Sequence, residues 1–217
     1  MKDKNLLSMM IGRDFMIRPI LFIFFLASSC AYIDYKRVPG ITKDLIFGKD
    51  DIIISQEFFE KAEYSFVKVR FGKDLSSIFV LSSVGPNNDY TWISSNFDRL
   101  VTRNGKVIKI ISDDEISFRI TSLSAVKDDD SNEYLIEFKS PSATFLQLSK
   151  LNFIDKITHS RLNKELTVNL SEERVTTNNL KWDFTNKYLV YENKVIHSEQ
   201  YIHPNLKKVT LDFYYKY

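Results

Sequence analysis

Carboxyl groups are the first candidates for chemistry in this sequence. Asp113, Asp114 and Glu115 follow one another beside a predicted strand. A glycosidase needs a pair of carboxyl groups that face the sugar, so this run supplies the best candidates for a glycan hydrolase or lyase. Charged turns are far commoner than such sites, and we therefore expect a solvated turn here.

A second acidic run resembles a metal-binding loop only in part. Asp128, Asp130 and Asn132 alternate as at the start of a calcium-binding EF-hand loop. The pattern then fails twice, because Glu133 stands where glycine must make the sharp turn and Lys139 where a bidentate glutamate should bind. We predict a solvated hairpin tip and no bound metal.

Histidines and nucleophiles form no recognisable catalytic arrangement. His159, His197 and His203 lack the spacing of a helical zinc site. The sequence also contains no Gly-x-Ser-x-Gly elbow and no glycine-rich phosphate loop. We therefore predict no catalytic residue, no metal and no cofactor.

Aromatic side chains are the most abundant groups that could bind a ligand, with 11 Tyr, 17 Phe and 2 Trp in the chain. Tyr90, Trp92, Trp182 and Tyr188 are the candidates for stacking on sugar rings or for lining an apolar cavity. Large rings also supply much of the buried surface of a β-sheet core. That packing role is the commoner one for each of these four residues.

Cys30 is the only cysteine, and its surroundings indicate export. The apolar run Ile20–Ala27 follows Arg13 and Arg18, which is the layout of a secretory signal peptide. The run is too short to cross a bilayer, because a spanning helix needs about 20 apolar residues. We predict a lipoprotein signal peptide at residues 1–29, with translation beginning at Met1, Met10 or Met16.

Ala27-Ser28-Ser29-Cys30 resembles the lipobox at which bacterial lipoproteins are cleaved and acylated on the cysteine. The box usually has Leu at the position of Ala27. An unpaired cysteine in an exported protein calls for an explanation, and a lipid on Cys30 supplies one. The alternatives are an ordinary signal peptide that leaves a free thiol, or an uncleaved membrane anchor.

Removing residues 1–29 removes the net charge. They contain four basic and two acidic side chains, which account for the whole formal charge of +2. The remaining chain is formally neutral, and a neutral surface of mixed charge gives no electrostatic footprint for nucleic acid. We predict a lipidated tether at 30–48 and a single β domain at 49–217.

The apolar spacing changes to a period of two after Tyr64, which indicates strands. Asn104-Gly105 predicts a hairpin at 99–110 with a type I′ turn, and a second hairpin is expected at 188–197. Further predicted strands are 65–71, 77–82, 90–93, 116–121, 133–139, 144–150, 151–158, 165–170 and 207–215, with short helices at 42–47 and 55–63. The fold predicted is all-β, an antiparallel meander curling into a barrel or half-barrel to bury its apolar face.

Two pairs of segments carry a family resemblance. Trp92-Ile-Ser-Ser precedes Leu100-Val-Thr-Arg-Asn-Gly-Lys-Val-Ile-Lys109, and Tyr188-Leu-Val precedes Lys194-Val-Ile-His-Ser198 and Gln200. These segments resemble the YjbF/GfcB family, the outer-membrane lipoproteins of exopolysaccharide and group 4 capsule gene clusters. Asn193 departs from the family, because it stands near the family's turn glycine. The motifs are hairpin and packing motifs, so they indicate a fold more directly than an activity.

The resemblance implies a non-enzymatic β domain that faces the periplasm and assists the assembly or export of exopolysaccharide or capsule. Its expected partners are the membrane, through the lipid anchor, and polysaccharide or export-machinery proteins. Ala31 follows the cysteine in place of Asp, which favours the outer membrane by analogy with Gram-negative sorting. The alternative function is a carrier or assembly factor that holds a lipid or lipoprotein in an apolar cavity of a curved sheet. The oligomeric state stays open.

Overall fold

Twelve antiparallel strands close into a barrel in the computed structural model, which describes residues 51–112, 117–126, 131–139, 141–178 and 180–216. Each strand pairs with its neighbours in sequence, and the last pairs with the first from Phe66↔Tyr214 to Phe71↔Val209. The strands are β1 (Phe66–Phe71), β2 (Ser77–Val84), β3 (Asp89–Ile93), β4 (Arg99–Arg103), β5 (Lys106–Ile111), β6 (Phe118–Val126), β7 (Ser131–Lys139), β8 (Ser142–Arg161), β9 (Lys164–Thr177), β10 (Phe184–Tyr191), β11 (Lys194–Gln200) and β12 (Val209–Tyr214). The predicted all-β meander is confirmed, and it closes completely.

One short helix, α1 (Gln56–Lys61), precedes the barrel in the described part of the chain. The Ser55 hydroxyl caps its first turn by accepting a hydrogen bond from the Phe58 amide at 3.0 Å. The helix packs on the outer face of the barrel, where Phe58 and Phe59 contact Phe66. The predicted helix at 55–63 is confirmed, whereas the one at 42–47 lies outside the described residues. No helix in the described ranges has the length and apolarity to cross a membrane.

Both predicted hairpins are present. Asn104 and Gly105 have φ angles of 48° and 76°, and Glu192 and Asn193 have 47° and 63°. Positive φ at both central positions is typical of a type I′ turn, whose twist matches the paired strands. These two turns lie at the same end of the barrel, which we call the upper end.

The prediction of two separate strands at 144–150 and 151–158 was wrong. β8 runs without a break for 20 residues, with a bulge between Phe153 and Asp155. No turn residue separates Lys150 from Leu151, so the chain continues as one strand. The pairing of β8 changes at this point, since β7 pairs only with Ser142–Lys150.

The continuation of β8 and the start of β9 form an arm, residues 157–168, that extends beyond the ladder between β9 and β10. The arm packs on the outside of the barrel, where Val168 is buried with Leu189 and Ile196. Near its tip, Arg161 Nη1 donates a hydrogen bond to the Ile196 carbonyl at 2.7 Å, and Nη2 donates one to the Phe213 carbonyl. The arm therefore covers part of the outer surface of β10, β11 and β12.

Candidate functional site

A cavity of about 630 Å³ occupies the upper end of the barrel. Successive strand residues point alternately into and out of a barrel, and the strands that line the cavity contribute alternate residues, such as Ser171 and Glu173 of β9 and Tyr188 and Val190 of β10. Four tyrosines line the cavity: Tyr90, Tyr134, Tyr188 and Tyr215. Below them the interior is filled by a core that includes Trp92, Leu100, Phe118, Ile136, Phe138, Leu211 and Phe213.

Residues 104–106 of the β4–β5 turn line the cavity. Gln200 Nε2 donates a hydrogen bond to the Gly105 carbonyl at 2.7 Å, and Gln200 Oε1 accepts one from the Val107 amide at 2.9 Å. The Ser198 hydroxyl also donates to the Gly105 carbonyl, at 3.3 Å. These bonds hold the turn against the inner face of β11.

A buried carboxylate lies in the cavity wall. Glu173 is 4% exposed. Its Oε1 accepts a bond from Lys106 Nζ at 2.6 Å, and its Oε2 accepts bonds from Asn186 Nδ2 at 3.0 Å and the Tyr188 hydroxyl at 2.8 Å. Lys106 Nζ also lies 4.0 Å from the centre of the Tyr134 ring. A buried charge requires this degree of pairing, because an unpaired one is costly to desolvate.

This pairing also determines the protonation states of Glu173 and Tyr188. Burial alone would raise the pKa of Glu173, but the Lys106 charge and the three hydrogen bonds outweigh it and lower that pKa. The pKa of the Tyr188 hydroxyl moves the opposite way: burial and the neighbouring Glu173 charge raise it well above its usual value. Glu173 is therefore held ionised and Tyr188 neutral, so the wall presents fixed donors and acceptors.

Two of the four predicted aromatic contacts line the cavity, namely Tyr90 and Tyr188. Trp92 lies under Tyr90, with ring centroids 5.8 Å apart, and its Nε1 donates to the Thr102 hydroxyl at 2.9 Å. Trp182 packs between Phe138 and Phe184 and does not line this cavity. Contact of Tyr90 and Tyr188 with a ligand stays a prediction.

Sequence reasoning missed Glu173 and Lys106, a pair of oppositely charged residues in the cavity wall. The predicted strand ends at Leu170, before the acidic pair Glu172-Glu173. β9 in fact continues to Thr177, with Glu173, Val175 and Thr177 buried at alternate positions. Extending the alternation through the acidic pair would have placed Glu173 on the inner face.

The other predicted groups lie elsewhere. Asp113, Asp114 and Glu115, as well as Asp128 and Asp130, lie outside the described residues. Among the described residues no group of three metal-ligating side chains is close enough to hold a metal ion. Two of the three histidines are neighbours, since the His159 and His197 ring centroids lie 5.9 Å apart, and His197 Nδ1 lies 2.6 Å from Asp212 Oδ1. His203 is elsewhere and packs edge-on against Phe138.

The fold and the cavity together define an up-and-down β-barrel with a ligand-sized opening at one end. The chain belongs to the family described as group 4 capsule polysaccharide lipoprotein gfcB, YjbF, whose sequence pattern matches residues 42–213. The predicted resemblance is thereby confirmed.

A solved structure shows the same fold. The crystal structure of the hypothetical lipoprotein YmcC from Escherichia coli (K12) superposes with a TM-score of 0.64 and covers 82% of this chain and 95% of that chain. The two sequences are 17% identical, so the likeness shows a shared architecture. No curated protein matches this chain by sequence.

Proposed function

We propose that this protein is a lipid-anchored accessory factor in the assembly or export of capsule or exopolysaccharide, and that its barrel cavity binds a segment of the glycan. The family description supplies the process. The observation that carries glycan binding is the lining of the cavity, in which tyrosine rings stand beside the fixed polar groups of Lys106 and Glu173. Ligand sites typically combine aromatic walls with a few oriented polar groups of this kind.

The proposed location is the periplasmic side of the outer membrane. The anchor is Cys30, which lies outside the described residues, as does the predicted signal peptide at 1–29. An extended chain spans at most about 3.3–3.6 Å per residue, so the segment from Cys30 to Asp51 could reach about 70 Å from the membrane surface. That distance would let the cavity meet a polysaccharide that is passing through the periplasm.

We propose binding without cleavage. A glycosidase needs one protonated carboxyl group to act as the general acid. Glu173, the buried carboxylate of the cavity, accepts three hydrogen bonds and has a lowered pKa. It therefore has no proton to donate near neutral pH.

The alternative, a carrier for a lipid or lipoprotein, fits the lining less well. An acyl chain inside the cavity would cover the Lys106 ammonium, which has N–H donors beyond its bond to Glu173, without offering it a hydrogen bond, and this is unfavourable. Mass spectrometry of the protein extracted from membranes tests this alternative. A stoichiometric lipid that is not attached to Cys30 would favour the carrier.

Deletion of the gene tests the proposed function. We expect the deletion to reduce the amount or the chain length of surface polysaccharide. We also expect wild-type protein to restore it and a Cys30→Ser variant, which cannot be acylated, to fail. A deletion strain with unchanged polysaccharide would refute the proposal. Labelled palmitate and membrane fractionation provide the matched check that Cys30→Ser has lost its anchor.

A further inference from the structure

A second cavity, of about 430 Å³, lies outside the barrel wall between α1, the tip of the arm and the upper ends of β11 and β12. Its charged lining is strongly unequal: four basic side chains, Arg161, Lys164, Lys194 and Lys216, stand against Glu192 alone. The chain after residue 29 is formally neutral. The excess of positive charge is therefore local to this cavity and is not a property of the whole protein.

Arg161 is half-buried, and it forms no ion pair with a carboxylate of the described residues. Its guanidinium binds the carbonyls of Ile196 and Phe213 and lies 4.2 Å from the centre of the Tyr214 ring. Burial lowers the pKa of its guanidinium, and the nearby charge of Asp212 only partly offsets that effect. A desolvated cation whose counter-charge is not in direct contact is costly. The two carbonyl contacts leave some of its five N–H donors available.

Lys216 repeats this arrangement on the opposite wall. Its Nζ donates to the carbonyls of Phe59 and Glu60 at 2.7 and 3.2 Å and lies 4.6 Å from the centre of the Phe59 ring. An ammonium group has three N–H donors, so one remains. Lys164 is exposed at the mouth and forms no ion pair with any described residue.

We propose that this second cavity binds the anionic group of an acidic sugar, either a carboxylate or a phosphate substituent. The inference rests on the proposed function, because that function makes the ligand a glycan. The two cavities share the side chains of Glu192, Lys194 and Tyr215. A glycan bound in the barrel cavity can therefore extend past these three residues to the basic cavity. Arginine and lysine are the usual residues for binding carboxylate and phosphate.

Calorimetric titration of the full-length protein in non-ionic detergent tests the proposal. The probes are a trisaccharide of galacturonic acid and the neutral trisaccharide of galactose. We expect the acidic probe to bind about tenfold more tightly and to weaken as salt is added. Lys164→Gln should weaken the acidic probe by about three- to fivefold, the range for a partly exposed ion pair. Lys181→Gln, an exposed lysine at the other end of the barrel, is the matched control and should change nothing.

Three results would overturn the inference. Equal affinity for both trisaccharides, unchanged in Lys164→Gln, would place the glycan in the barrel cavity alone and leave the proposed function standing. Lys164-dependent binding of dihexanoylphosphatidylglycerol with no binding of the acidic trisaccharide would assign the cavity to a lipid headgroup. Absence of binding by every probe would remove the site, while the polysaccharide yield of the deletion strain would still decide the proposed function independently.

Discussion

Gln200 Nε2 and the Gly105 carbonyl lie 2.7 Å apart although 95 residues separate them in sequence. The bond joins the turn of the first hairpin to the end of the second, which are the two segments that carry the family resemblance. It also holds residues 104–106, which line the barrel cavity, against β11. Segments that are far apart in the sequence and that carry the resemblance are therefore in direct contact in the fold.

Gly105 is the position where this contact tolerates no side chain. Its φ is +76°, and a Cβ would lie 2.4 Å from Val195 Cγ1. We expect Gly105→Ala to lower the free energy of unfolding by about 1–3 kcal/mol, because it combines backbone strain with a steric clash. Gly85→Ala is the control, since its Cβ would meet nothing nearer than 3.6 Å and its φ is ordinary. Equal melting temperatures for the two variants would contradict this explanation.

Gln200 should matter through its hydrogen bonds more than through its volume. Gln200→Met keeps the size of the side chain but leaves the buried Val107 amide without the acceptor that lies at 2.9 Å. We expect a loss of about 1–3 kcal/mol, the cost of an unsatisfied buried polar group. Gln147→Met is matched for burial, and among the described residues it gives up a weaker bond, the one to Thr177 at 3.3 Å. Urea unfolding should therefore show a smaller loss for Gln147→Met, and the opposite order would disprove the account.

Glu173 should make stability depend on pH. Its pKa is lowered in the folded protein, so its contribution is present above the unfolded pKa, near 4.5, and is lost as the pH falls through the folded pKa. We expect Glu173→Gln to destabilise the protein at pH 7 by about 3–5 kcal/mol, because Lys106 is left buried without its partner.

Urea unfolding of wild type and Glu173→Gln between pH 7 and pH 3 measures this dependence. The difference in the free energy of unfolding between wild type and Glu173→Gln should shrink below pH 4.5. Wild type then loses the contribution of ionised Glu173, which the variant lacks at every pH. Glu165→Gln, on the exposed side of the arm, is the control and should follow wild type at every pH. A difference that stays constant with pH would show that the role of Glu173 is not electrostatic.

Local signals in the sequence predicted most of the strands and both hairpins. Alternation of Val67 and Val69 with Lys68 and Arg70 indicates β1, and Asn104-Gly105 indicates a type I′ turn. Closure of the barrel depends on pairs such as Phe66↔Tyr214, for which no neighbouring residue carries a signal. The arm was missed because no residue near Lys150 indicates that β8 continues beyond the end of its pairing with β7. Glu173 was missed because the predicted strand ends at Leu170, and its partner Lys106 lies 67 residues away in the sequence.

Arg161 should hold the arm to the barrel. Arg161→Met keeps much of the stem but removes the bonds to the carbonyls of Ile196 and Phe213 and the contact with the Tyr214 ring. We expect amide hydrogen exchange in residues 157–168 to accelerate about tenfold or more, the effect of losing charged hydrogen bonds of about 1.5–3 kcal/mol. Exchange in the β4–β5 hairpin should not change, because that hairpin is held by Gln200. Arg174→Met, an exposed arginine of the same β8–β9 hairpin, is the control. Acceleration spread evenly over the barrel would mean that Arg161 stabilises the whole fold. Acceleration confined to residues 157–168 would show that Arg161 holds only the arm, beside the basic cavity.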